Sequence, residues 1–165
     1  MSSVRYNVRL VRLSDEPVVL RLGREAVDTT DYRSMTYSPS HVAHTLKQCV
    51  EQPDKFFGLV GELEGEVVGY KCAFATIDFF SSDIVCFDIS TYITPAGRSI
   101  ILVATMMVEY KKWATRIGAC RAYLGATAAS DDPRVGMLFT KLGFRYAGTL
   151  HVAEIDHGQR SGRAA

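Results

Sequence analysis

The sequence predicts a layered α/β (α+β) domain, a mixed central β-sheet of six to seven strands with four flanking helices. Three observations carry that expectation. Strand-like and helix-like patterns alternate from Arg5 to Ile155 without an intervening linker. Two strand patterns bracket a long apolar-periodic segment, 98–117, and joining parallel strands through such a segment requires a right-handed crossover. The chain has 165 residues, 47% of them hydrophobic, enough for one sizeable core and too little for two ordinary domains.

Each element follows from local chemistry. Tyr6 to Leu13 alternates polar and apolar residues, a strand pattern. Ser14 can cap a helix starting at Asp15, with acidic residues in its first turn and Pro17 early enough to be tolerated, running to Val27. A polar loop with aromatic residues, Asp31-Tyr32-Arg33-Ser34-Met35-Thr36-Tyr37, comes next. Ser38-Pro39 opens a second helix, which Pro53 ends. Phe56 to Leu63, the turn Glu64-Gly65, and Glu66 to Thr76 read as a β-hairpin, and Ile84 to Thr94 as a further strand. Arg98 to Ile117 carries Ile101, Ala104 and Val108 at helical spacing, and Gly118 closes that helix. Ala122 to Ala126 is a short strand. Pro133 stands near the start of a helix capped by Asp131 or Asp132, running to Leu142 and stopped by Gly143. Phe144 to Ile155 supplies the last strand or two. Residues 1–156 thus form one domain and 157–165 a flexible polar tail.

Composition excludes several classes of function. Lys+Arg 19 against Asp+Glu 18, with this much apolar content, rules out disorder and argues against nucleic acid as the main partner. No apolar run approaches the length of about 18 residues that a membrane span needs. Met1-Ser2-Ser3-Val4-Arg5 lacks the basic start and apolar stretch of a signal peptide. Cys49, Cys72, Cys86 and Cys120 are scattered, with no Cys-x-x-Cys pair, so reduced thiols in a cytoplasmic protein are expected rather than metal ligands.

Chemistry can sit where strand 84–94 meets helix 98–117. A strand feeding a helix through the tight turn Thr94-Pro95-Ala96-Gly97-Arg98-Ser99 aims the first helical N–H groups at one point, which attracts an anion. Three motifs accompany it in order: Glu66-Val67-Val68-Gly69, Thr94-Pro95-x-x-Arg98, and a helix ending Leu138-Phe139-Thr140-Lys141-Leu142-Gly143-Phe144. Together they resemble the GCN5-related N-acetyltransferase (GNAT) family over nearly the whole chain. Phe79-Phe80-Ser81-Ser82-Asp83, the Trp113-Ala114 pair and Gly118-Ala119 look like the small GNAT proteins of bacteriophages.

The resemblance implies transfer of an acetyl group from acetyl-CoA to a primary amine of a protein or small molecule, by direct attack and without a metal. It implies that pyrophosphate meets the backbone of Arg98, Ser99, Ile100, Ile101, Leu102 and Val103. It also implies that pantetheine pairs like an extra strand between Tyr92-Ile93-Thr94 and Gly125-Ala126-Thr127, with Asp132 and Phe139 from the final helix completing the cofactor site. Dimers are common in the family, and the resemblance leaves that point open.

Two departures stand out. Ile101 and Val103 replace small residues of the family turn, where bulky side chains narrow the approach to the backbone. Phe139 replaces a tyrosine that protonates the departing thiolate; Tyr92, Tyr123 and Tyr146 are the alternatives in the sequence. An amine with a pKa of about 10.4 must lose its proton before attacking, which calls for a base. Strict alternation would put Val85, Phe87, Ile89 and Ile93 in the core and Cys86, Asp88, Ser90, Tyr92 and Thr94 on the face lining the acceptor cleft. Asp88 is therefore the expected base, against its reading as a hydrogen-bonded strand residue; Cys86 as a nucleophile has no visible partner. The loop from Tyr32 to Tyr37 falls where GNAT proteins contact the acceptor. Two other outcomes stay open: a GNAT-shaped protein that binds CoA or a host protein without turnover, and nucleic-acid modification if Arg21, Arg24 and Arg33 gather.

Overall fold

The computed structural model describes residues 5–125, 133–153 and 155. Among them run strand β1 (Tyr6–Leu10), helices α1 (Glu16–Thr29) and α2 (Pro39–Glu51), strands β2 (Phe56–Leu63), β3 (Glu66–Ile77) and β4 (Ile84–Ile93), helix α3 (Ile100–Arg116), strand β5 (Arg121–Tyr123) and helix α4 (Pro133–Lys141). The sheet order is β1-β2-β3-β4-β5, antiparallel throughout except for the parallel pair β4–β5 that brackets α3. Layering, crossover and the four helices are as the sequence predicts.

Each face of the sheet buries its own cluster. On one side Leu102, Met106, Tyr110 and Trp113 of α3 pack on Phe57, Leu59, Ala73, Ala75 and Cys86. The Trp113 ring lies 5.1 Å from that of Phe57, and its indole N–H donates to the Pro53 carbonyl at 2.7 Å, so a large apolar body is buried with its polar tip satisfied. On the other side Val19, Leu22 and Ala26 of α1 and Leu46 of α2 meet Val60, Tyr70 and Tyr92. Helix α2 can approach β2 closely because Gly58 has no side chain: a Cβ there would lie 2.6 Å from Val11 Cγ1 and 2.8 Å from Cys49 Cβ. The β2–β3 turn uses Glu64 and Gly65 at φ 51° and 89°, which match the twist of a two-residue hairpin.

Several expectations need correction. Ser14 does not cap α1; Leu13–Asp15 forms a 3-10 turn, and α1 starts at Glu16 behind Asp15. The Asp15 carboxylate is claimed by Arg9, whose Nη1 and Nη2 donate to it at 2.8 and 2.9 Å. Helix α3 starts at Ile100 rather than Arg98, because Pro95–Gly97 forms a separate 3-10 turn and Arg98 is extended. The sheet has five strands among the described residues, not six to seven. Phe144 to Ile155 has the alternating pattern, yet its described residues join no ladder and Tyr146, Leu150, Val152 and Ile155 are exposed. Periodicity shows which face a strand would bury, whereas a strand also needs an edge to pair with. The proposed caps Asp131 and Asp132, and the tail 157–165, lie outside the described residues.

The alternation of β4 is the largest correction. A β-bulge shifts its register against β3: Ala73 pairs with Asp88 but Cys72 pairs with Ser90, so Ile89 is the extra residue. Cys86 and Asp88, and beyond the bulge Thr91 and Ile93, consequently turn toward α3. Phe87, Ser90 and Tyr92 turn the other way, and Phe87 and Ile89, expected in the core, are exposed.

Candidate active site

Turn, helix and strand separation form the site together. Thr94 Oγ1 accepts from Gly97 N at 3.2 Å and closes the 3-10 turn. Gly97 is needed there, since a Cβ would come within 2.6 Å of Val68. Ser99 then caps α3, its Oγ accepting from Ile101 N at 3.2 Å, while Val103 N donates to the Ser99 carbonyl at 3.0 Å. The amides of Ile100 and Leu102 have no partner among the described residues, so the first turn of α3 presents bare donors at the positive end of its dipole.

The bulky residues of this turn leave those amides open. Ile101 is 61% exposed and Ile100 is similarly exposed, so both side chains point outward. Leu102 is buried in the α3 core and Val103 packs against it. Arg98 is exposed, close enough to Tyr92 for its charge to act on that hydroxyl.

Beside the turn, the parallel ladder is short. Val85, Cys86 and Phe87 pair with Arg121, Ala122 and Tyr123, and the pairing stops there. From Asp88 to Ile93, β4 has a partner among the described residues on its β3 side only, and Thr94 N reaches the Val68 carbonyl at 2.9 Å on that same side. Among the described residues, the β5-facing edge of β4 is thus an unpaired strand edge running from the Phe87–Tyr123 pair toward the start of α3. An amide-containing chain can add to such an edge by main-chain hydrogen bonds. Gly125, past the end of β5, faces open space. Ala126, Thr127 and Asp132 lie outside the described residues.

At the head of this gap lies a buried polar cluster that sequence reasoning missed in part. Lys71 on β3 is 0% exposed. Its Nζ donates to Asp88 Oδ1 at 2.6 Å and to Thr91 Oγ1 at 3.1 Å, and it sits 4.5 Å from the centre of the Tyr110 ring. The Tyr110 hydroxyl donates to the Tyr123 carbonyl at 2.9 Å, tying α3 to the end of the parallel pair. Among the described residues Asp88 Oδ2 has a single weak contact, 3.4 Å from the Thr91 hydroxyl. A lysine at a strand position in an apolar hairpin gave the one available sequence signal, because fully buried lysines are rare unless paired.

The remaining candidates separate. Burial pushes the Cys86 thiol up to about 11, so it is protonated at neutral pH and set in the core, which removes it as a nucleophile. Phe139 is half-buried, its ring 6.3 Å from Phe144. Of the three tyrosines, Tyr92 donates to Glu25 Oε1 at 2.7 Å under α1, Tyr146 is exposed in the final segment, and Tyr123 stands where the strands part. Tyr37 from the α1–α2 connection donates to the Leu20 carbonyl at 2.7 Å and packs on Gly23, whereas Tyr32 remains open.

The fold has counterparts among solved structures. The aminoglycoside N-acetyltransferase AAC(6')-Iy, in complex with CoA, superposes with a TM-score of 0.71 at 11% identity, covering 93% of this chain and 97% of that one. An aminoglycoside acetyltransferase from an uncultured soil metagenomic sample, in complex with sisomicin, gives 0.67 at 13% identity, covering 92% and 97%. An acetyltransferase of Trypanosoma brucei gives 0.67 at 16% identity, covering 92% and 100%. This is the GNAT fold. No protein-family model matches the chain, and no curated protein matches it in sequence. At such identities the likeness is one of architecture, and the chemistry must be argued from this chain's own residues.

Proposed function

We propose that this chain transfers an acetyl group from acetyl-CoA to a primary amine by direct attack. The observation that carries the reading is the edge of β4 from Asp88 to Ile93, open among the described residues, leading to the amides of Ile100 and Leu102, which have no partner among those residues. An extended amide-bearing arm ending in a pyrophosphate fits that shape: the arm pairs with the strand edge, and the diphosphate meets the helix amides with Arg98 beside it. The CoA complex of AAC(6')-Iy and the sisomicin complex support a CoA donor and an amine acceptor for the same architecture. Acetyl-CoA supplies an activated acyl carbon, and the protein supplies position and a proton acceptor.

In this reading Asp88 is the base, acting through water. Lys71 holds Oδ1 and leaves Oδ2 as the accepting atom at the head of the gap. Thiolate departure needs little help near neutral pH because a thiol pKa is about 8.5, so Phe139 slows the reaction without forbidding it. On sequence resemblance alone, the enzyme is of phage type and acts in the cytoplasm.

A second reading is favoured by two observations. Asp88 is already paired with buried Lys71 and Phe139 carries no proton, the pattern of a GNAT-shaped protein that binds CoA without turnover.

Melting with and without acetyl-CoA, followed by thiol release over a panel of amines, tests both. Saturation at 100 times the dissociation constant is expected to add about 2.7 kcal/mol, or about 5–10 °C in Tm for a domain of this size. Arg98→Glu is expected to abolish that shift. Asp88→Asn is expected to keep the shift and lower kcat about 100-fold or more. A shift without thiol release selects the binding protein, and no shift removes both.

A further inference from the structure

The α1–α2 side of the sheet ends in an aromatic row. Phe56 of β2 is the ladder partner of Phe74 of β3, Phe74 of Phe87 of β4, and Phe87 of Tyr123 of β5. Their strand neighbours Phe57, Ala73, Cys86 and Ala122 belong to the α3 side, so alternation sets the four aromatic side chains on the opposite face. The Phe74 and Phe87 rings lie 5.7 Å apart at 26°, and those of Phe87 and Tyr123 lie 4.8 Å apart at 8°. Phe87 is 37% exposed with Ile89 exposed beside it, and neither belongs to a buried cluster of that face.

The row adjoins the proposed chemistry. Phe87 and Tyr123 are both the closest ring pair and the last parallel partners before the gap opens. The charges around it are also informative. Lys55 Nζ lies 5.9 Å from the Phe56 ring centre at one end, and Arg121 Nη1 donates to the Tyr123 hydroxyl at 3.3 Å at the other. In the β3–β4 turn, Asp78 accepts from Phe80 N and Asp83 from the Ser81 hydroxyl, both at 2.9 Å, and Asp78 also acts on Arg121. A polycationic acceptor meets a cation at each end of the row. A flat ring bearing a single amine meets a stack that it can extend.

We propose that the acceptor is a small primary amine carried on a planar aromatic ring, seated on the Phe74–Phe87–Tyr123 row, its amine-bearing arm entering the gap toward the α3 face on which Asp88 lies. This rests on the acetyl-transfer reading and names its acceptor class. In the transfer the neutral amine nitrogen forms the C–N bond to the acyl carbon. The C–S bond breaks with its electron pair going to sulfur, and the proton lost by nitrogen ends on the CoA thiol.

The test compares 2-phenylethylamine, 2-cyclohexylethylamine and the polyamine neamine as acceptors for the full chain, in wild type, Phe87→Leu and Tyr123→Leu. The wild type is expected to show kcat/KM about tenfold higher for the phenyl than for the cyclohexyl amine, the factor given by about 1.4 kcal/mol of ring stacking. Either leucine variant is expected to remove that preference through KM while keeping the acetyl-CoA melting shift; the two variants guard against one failing to fold. Equal kcat/KM for the two amines, or a preference for neamine, overturns the aromatic acceptor and leaves acetyl transfer standing. If no amine releases thiol, acetyl transfer falls, and the row is read from binding alone. NMR line broadening of 2-phenylethylamine that Phe87→Leu abolishes then supports the row, and its absence overturns it.

Discussion

At the scale of single residues, the most consequential one is Lys71. An ammonium taken fully out of water persists only if every donor finds a partner, and Asp88, Thr91 and the Tyr110 ring provide them. Removing the cation leaves the Asp88 carboxylate, its side chain 11% exposed, beside an apolar wall. Lys71→Met is expected to destabilise the fold by about 3–5 kcal/mol, and adding Asp88→Asn to recover more than half of that, both read from urea unfolding. A loss below about 1 kcal/mol for the single variant shows that water reaches the pair. Asp88 itself was legible in the sequence as a polar residue on a core strand. Its partner and its face were not, because one bulged residue, Ile89, inverts the side on which everything before it lies.

At the scale of elements, the turn and first turn of α3 decide whether a diphosphate can bind. Their sequence reads as obstructed at Ile101 and Val103, yet the helix starts two residues later than periodicity suggests. That phase sends Ile100 and Ile101 outward and Leu102 and Val103 into packing. Ser99 fixes the start by capping Ile101 N. Ser99→Ala is expected to cost about 1 kcal/mol, about 2–4 °C in Tm, and to weaken acetyl-CoA binding as the first turn frays. An unchanged Tm shows that the 3-10 turn alone sets the helix phase.

At the scale of the whole molecule, the first strand is fastened to the rest by charge. Arg9 bridges Asp15 at 2.8 Å and Glu62 at 2.7 Å, joining β1, the entry to α1 and β2. Hydrogen bonds from Arg9 hold the Asp15 carboxyl below its ordinary range, and those from Asn7 and Arg9 do the same for Glu62. Depressed carboxyl pKa values contribute stability that is complete above the unfolded values of about 4 and is lost as pH falls through the folded ones. Urea midpoints are therefore expected to fall steeply below about pH 4, and Arg9→Met to flatten that dependence. A slope unchanged in Arg9→Met assigns acid unfolding to other carboxylates.

The sequence by itself determined the layers, the crossover around α3, the four helices and the location of the turn between β4 and α3. These follow from hydrophobic period, caps and breakers, which act over a few neighbours along the chain. The tertiary structure alone decided how far β5 pairs with β4, which side Asp88 faces, what Lys71 is buried against, and that Phe56, Phe74, Phe87 and Tyr123 form one row. Those features depend on register between strands distant in sequence, and register is set by packing and by a single bulge, which leave no local periodic trace.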